Sequence, residues 1–419
     1  MKRLWIAPLF VCLFLVNGAH AQTLTLQDAL DQASKQNPGV QIARLRSLEQ
    51  QANELAVKSA YKPQANITIG GTYQTNNLQG IGLVFPGFPS RLGPFRTFNA
   101  RPTVTQTVLD FSLLAGIRAS KAESSAAKFD VESAREETQA AVVALFLQTF
   151  QAQSRLRAAN ARLASAEALL AQVTEREQGG GASQLDVARN QQQRQTEQLA
   201  VISAEQELRL LRPALSELLG GPFTGELVEP LLTMPNTNAE RPDIRAQELR
   251  VEAAQHDVAR AKNERLPRLS AFGDYGALGA GPDRAIGTYN VGASLTIPVR
   301  TGGRIEADIE AARQRVEQRK VETRRLRLTA DRQAEQATIT YQEQTRAAAA
   351  AAESSTAARK VLELARLRYE SGLATSVDTV TAQAALAESE DAEIRARYAA
   401  QLALAQLAFA KGDVGAALR

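Results

Sequence analysis

Two aspartates stand where this chain could do chemistry. Asp186 and Asp378 each lie three residues beyond a hydroxyl side chain, Ser183 and Thr375, and each hydroxyl follows a glycine turn, Gly179-Gly180-Gly181 or Gly372. Glycine stops one helix, Ser or Thr caps the next by accepting a backbone N–H, and an acid in the first turn is favoured by the helix dipole. Capping alone explains all of these residues as plain helix-turn-helix structure. Repeated around a symmetry axis, the same acids would form a ring that repels anions and binds cations at a constriction. Little else competes with them. Beyond the first 21 residues the chain has one histidine, His256, one methionine, Met234, and no cysteine. That leaves no His pair at metal-ligand spacing, no Met relay and no phosphate-binding loop, so neither a metal nor a cofactor is expected. The carboxylates lie along helical faces without the pairing a hydrolase needs, and no enzyme activity is expected.

The elements that position these residues follow from composition. The 419 residues are 44% hydrophobic and 22% charged but only 5% aromatic, rich in Ala, Gln, Glu, Arg and Leu as long packed helices are. Residues 1–21 read as a secretory signal: Lys2-Arg3, an apolar run from Leu4 to Val16, then Ala19-His20-Ala21. Cys12 lies in that run without a lipobox around it. Without Lys2 and Arg3 the balance is 47 basic against 45 acidic residues, which removes the electrostatic case for a nucleic-acid partner. No later stretch reaches the roughly 18–20 apolar residues of a spanning helix. If the chain crosses a membrane, it does so with strands.

Ile117–Gln178 and Arg304–Ser371 contain neither Gly nor Pro. As continuous helices they would be about 93 and 102 Å long, comparable to the depth of a periplasm. Shorter helices are expected over Gly39–Lys62, Ala182–Leu219 with a late interruption at Pro213, Pro242–Leu266 and Leu373–Lys411. Laid end to end in pairs, these approach the length of the long ones. Strands are expected at about 64–75, 101–111, 268–277 and 288–298, where the period changes from 3.6 to 2. In Thr288–Ile297, Tyr289, Val291, Ala293, Leu295 and Ile297 alternate with small polar residues; Ile67, Ile69 and Tyr73 do the same earlier. Each is long enough to cross a bilayer when tilted, with its polar face toward a water-filled lumen. Four strands cannot close a barrel, since about eight is the minimum, and an open sheet edge is excluded in lipid. The barrel must be shared between protomers, and eight strands from a dimer would also meet that requirement.

The chain contains itself twice. Asn37-Pro38 with Pro63 aligns with Arg241-Pro242 and Pro267, while "REQGGGASQLDVARNQ" from Arg176 aligns with "RYESGLATSVDTVTAQ" from Arg368. A period of about 200 residues is a duplication rather than a solenoid. The expected division is a first repeat at 22–220, a linker at 221–240 and a second repeat at 241–419. A longer first strand-to-strand loop, Leu78–Asn99, carries Phe85, Phe88, Phe95 and Phe98.

With "LTIPVRTGGR" at the junction of strand and long helix, loosely matched by "TVLDFSLLAGIR" in the first half, this order resembles the TolC type of bacterial outer-membrane efflux protein across nearly the whole chain. The resemblance implies a mainly α fold with membrane β: a homotrimer with a periplasmic α-barrel and a shared twelve-stranded β-barrel in outer-membrane lipid. It implies a passive exit duct for efflux or type I secretion, coupled to an inner-membrane pump through a periplasmic adaptor. It also makes the two glycine turns the periplasmic tip, where Gly179, Gly180, Gly181, Ser183, Gly372 and Thr375 meet the adaptor. Tyr369 and Asp186 match a family link that holds the tip closed. Ala374 replaces a family Arg and Thr381 a second family Asp, so a less tightly closed tip is expected. The alternative is a soluble periplasmic coiled-coil scaffold or adaptor in which the four alternating stretches form a small β domain.

Overall fold

The computed structural model describes residues 23–412 except 83–85, 88, 224, 231 and 233–239. The expected signal segment, Phe85, Phe88 and part of the 221–240 linker lie outside the described residues. The element order is α1 (Leu26–Gln36), α2 (Pro38–Ser59), β1 (Gln64–Asn77), β2 (Arg91–Leu109), α3 (Phe111–Gln178) and α4 (Gln184–Leu219). It continues with α5 (Pro242–Asn263), β3 (Arg268–Gly279), β4 (Ala285–Thr296), α6 (Arg304–Glu370) and α7 (Ser376–Ala410). Helix, strand, strand, long helix and returning helix therefore occur twice.

The long helices have 68 and 67 residues, about 100 Å each. Asp110 starts α3 by accepting the Leu113 N–H at 3.0 Å, so the helix begins before Gly116 rather than after it. Asn37 caps α2 ahead of Pro38, accepting from Gly39 at 2.8 Å and donating its own amide to the Leu218 carbonyl at 3.0 Å. One residue thus opens α2 and fastens the end of α4. Gly220, at φ +74°, closes α4, and a Cβ there would stand 2.5 Å from the Gln36 carbonyl oxygen; both conformation and space demand glycine. Pro213 does not interrupt α4, because buried Leu208, Leu215 and Leu219 hold the helix on either side of it. Helix α1 is an element the sequence pattern did not suggest; its signal is Thr25 capping Asp28 N–H at 3.2 Å.

The main core forms where α1, the middle of α3, the end of α4 and α7 converge, around Leu30, Val142, Val143, Phe146, Leu147, Leu215, Leu219 and Tyr398. Away from it, the helices form a wall whose buried contacts are mostly Ala, such as Ala122, Ala126, Ala159 and Ala166. Small side chains let helices approach closely over long distances, at the expense of buried area per residue. Helices α4 and α5 pack along α3, α7 packs along α6, and α2 also lies against α3. No helix among the described residues is long and apolar enough to cross a membrane.

The four strands form one antiparallel sheet in the order β1-β2-β3-β4. Strand β2 starts at Arg91, well before the expected position, because Phe95–Phe98 pair with Gly71–Gln74 of β1. Pairing overrides the Gly-Pro signal that made this stretch look like a loop, and places Phe95 and Phe98 in a strand. The register puts Ile67, Ile69, Tyr73, Val104, Tyr275, Tyr289, Val291 and Leu295 on one face, and every one of them is exposed. The opposite face carries Asn66, Thr68, Thr72, Thr103, Thr105, Ser270, Asn290 and Ser294. On it Arg101 forms an ion pair with Asp274 and donates to Thr288 Oγ1 at 2.7 Å. The outer edges of β1 and β4 have no strand beside them among the described residues.

Candidate functional site

At the end of the helices opposite the sheet, two turns of the same design sit side by side. The Gly181 N–H donates to Arg176 O at 2.7 Å, and the Leu373 N–H donates to Arg368 O at 2.8 Å. Gly180 and Gly372 take the left-handed conformation, at φ +75° and +71°, the cheap position for glycine after a helix. Gly179 and Gly181 correspond to Ser371 and Leu373, so the first turn has more glycine than its geometry requires. Ser183 and Thr375 then open α4 and α7 with reciprocal capping boxes: Asp186 accepts the Ser183 N–H at 3.1 Å, and Asp378 accepts the Thr375 N–H at 2.9 Å.

The two acids diverge from there. Asp186 is half-buried and also accepts a hydrogen bond from the hydroxyl of Ser376, on the first turn of α7. Arg189 lies 3.8 Å from it. The Ser376 hydroxyl first, and the Ser183 hydroxyl next, hold the Asp186 carboxyl below the ordinary aspartate range. Asp378 is exposed and is held below that range by the N–H and hydroxyl of its own cap, Thr375.

Tyr369 does not meet Asp186 in the protomer. Its ring lies under the Arg176 guanidinium, 5.0 Å from centroid to carbon. Arg176 also donates to the carbonyls of Tyr369 and Glu370, both at 3.4 Å. With Ser376 already occupying Asp186 and Arg176 covering the ring, the two hairpin tips are joined by Ser376–Asp186 and Arg176–Tyr369. Ser376 and Arg176 are the residues that sequence reasoning missed. Arg176 opens the repeated motif, and Ser376 follows the cap residue Thr375, but neither position signals a contact with the other hairpin.

Further up the wall, Arg162 of α3 binds Glu197 of α4 at 3.2 Å, and Asp391 and Glu390 of α7 at 3.4 and 3.8 Å. These groups border a cavity of about 220 Å³ shared by both hairpins. Arg366 closes the other side by donating to Ser165 Oγ at 2.6 Å. Among the described residues no cluster of His, Cys, Asp and Glu could hold a metal ion.

A sheet with an exposed apolar face, joined to helices about 100 Å long that end in paired capped turns, defines a membrane-anchored tube wall. The profile of the outer membrane efflux protein family matches residues 29–221 and again 234–413, and the chain belongs to that family. It is 26% identical over 401 residues to the pyoverdine export outer membrane protein OpmQ of Pseudomonas aeruginosa, covering 91% of this chain and 83% of that one. It is 27% identical over 391 residues to outer membrane protein OprJ of the same organism, covering 86% and 75%. The fold matches the Campylobacter jejuni CmeC outer membrane channel with a TM-score of 0.79 at 19% identity, over 93% of this chain and 86% of that one. The protein is an outer-membrane efflux duct with its helical part in the periplasm. The soluble-scaffold reading is set aside.

Proposed function

We propose that three copies of this chain close a twelve-stranded barrel in the outer membrane and continue it as a helical tube through the periplasm. The tube is a passive exit path, supplied by an inner-membrane pump through a periplasmic adaptor. The observation that carries this reading is the open four-stranded sheet with Ile67, Tyr289 and Val291 each about three-quarters exposed. Lipid accepts such a face but not the two free edges, so copies must supply the missing partners. The repeats at 22–220 and 241–419, joined by the linker 221–240, each contribute two strands and one hairpin. The pyoverdine-export name of one relative supports a small-molecule cargo.

The tip is the aperture. Asp186, Asp378 and Tyr369 line or brace it, with Ser376 and Arg176 holding the two hairpins of one protomer together. The turn residues Gly179, Gly180, Gly181, Ser183, Gly372 and Thr375, flanked by exposed Leu185 and Leu373, form the surface the adaptor meets. Light scattering on protein extracted from the outer membrane, with detergent mass subtracted, is expected to give a trimer. A detergent-independent monomer or dimer in the soluble fraction would overturn the duct. In planar bilayers Asp186→Ala and Tyr369→Phe are expected to raise conductance, and unchanged conductance in both would refute the aperture.

A further inference from the structure

The duplication makes one hairpin a template for what the other lacks. Residues of the first tip correspond to those of the second at one constant offset: Arg176 to Arg368, Glu177 to Tyr369, Gln184 to Ser376, and Asp186 to Asp378. Within the protomer, the first hairpin is the receiving side and the second the inserting side. Arg176 receives Tyr369 and Asp186 receives Ser376. The contact buries Leu169 and Val173 to 9% and 0% exposure.

The receiving side of the second hairpin is built alike and stands open. Val361, the counterpart of Leu169, is 56% exposed, and Leu364 beside it is 49% exposed. Together with Ala365, Arg368 and Asp378 they line a groove of about 490 Å³. Arg368 and Asp378 are exposed there, and neither meets another hairpin. The inserting side of the first hairpin is equally unused: Gln184 is exposed and Glu177 half-buried, and neither side chain is engaged by the second hairpin.

We infer that the groove between α6 and α7 at the tip receives the first hairpin of a second copy of this chain, with Glu177 of that copy on Arg368 and its Gln184 amide on Asp378. The chemistry is complementary at both points. Inside the protomer an Arg meets an aromatic ring and an Asp meets a hydroxyl. Between copies an Arg meets a carboxylate and an Asp meets an amide donor, each a charge-assisted contact. The joint is heterologous, so repeating it leaves no unused side only when the ring closes. Arg176–Tyr369 and Arg368–Glu177 joints then alternate around the tip, and only the second kind lies between subunits. The inference rests on the proposed ring of subunits and assigns the residues that seal it.

Paired cysteines test it, the chain's only other cysteine being Cys12. Oxidation of a chain carrying Gln184→Cys with Asp378→Cys is expected to give covalent oligomers that return to single chains on reduction. The companion pair Asp186→Cys with Ser376→Cys is expected to close within one chain, without oligomer. If the first pair stays at single-chain mass while light scattering on the unmodified protein gives a trimer, this joint is wrong and the ring stands. If the unmodified protein is a monomer, both fall. Charge exchange gives a readout independent of cysteine chemistry. Arg368→Glu and Glu177→Arg are each expected to raise channel-opening frequency about five-fold, the scale of one partly exposed charge pair, and to restore it when combined. A double variant that opens as often as the singles would overturn the joint.

Discussion

The two hairpin tips share a backbone design and differ in what surrounds it. Both end in a left-handed glycine and restart with a hydroxyl-Asp capping box. Only the first is covered by its sister, through Ser376 and Tyr369, and only its flank carries the Arg162 network. The lesson is that duplication copies the local fold exactly where backbone conformation dictates sequence. Side chains that face neighbours diverge, because the neighbours differ: one tip meets its own chain and the other meets what lies outside it.

The largest test of this difference is Arg162→Ala. It leaves Glu197, 5% exposed, without its cation, and breaking a buried pair in this way is expected to cost about 3–5 kcal/mol. Replacing exposed Ser354, the matching position in α6, with Ala is expected to leave the melting temperature unchanged. Equal effects in thermal melts would erase the asymmetry. Next come the caps: Ser183→Ala and Thr375→Ala are each expected to lose about 1 kcal/mol of helix stability. Only the first should also raise conductance, because it frees the acid that Ser376 engages.

Acidification separates the tips further. Both carboxyls are held below the ordinary aspartate value of about 4 in the folded protein. Their contribution is therefore complete above that value and is lost as pH falls through the lowered folded one. Conductance is expected to rise in that acid window. Ser376→Ala should move the onset to higher pH, since the hydroxyl is the leading cause of the Asp186 shift. The same onset in Ser376→Ala and parent channels would remove Ser376 from the closure. The smallest effect is expected from Arg176→Lys, which keeps the charge but loses the planar stack on Tyr369, about 0.5–1 kcal/mol. It should register as a slight increase in opening frequency, without loss of assembly.

Much of this architecture is legible in the residues. Gly- and Pro-free intervals mark α3 and α6 because nothing in them breaks a helix, and the alternation around Tyr289 marks β4 because a strand shows its two faces in turn. Capping at Ser183 and Thr375 is legible for the same local reason. The limits of pattern reading show at Gly116, Pro213 and Gly93-Pro94, where breakers sit inside regular elements. Packing against Arg260, burial of Leu215 and pairing with β1 outweigh their local cost. Helix α1 was missed because it is short and its apolar side is explained only by the core it joins.

By itself the sequence determined the inventory: exported chain, duplicated unit, two long helices, four membrane-suited strands and two capped acids. Each depends on interactions within a few residues, or on the period at which side chains return to one face. The tertiary structure alone decided which groups meet across the duplication, placing Ser376 on Asp186, Tyr369 under Arg176 and Arg162 between three helices. Those contacts join residues 35 to 229 positions apart, and no local preference encodes the rotation of one helix pair against another. Packing chooses that rotation, and with it which tip is covered and which is left open.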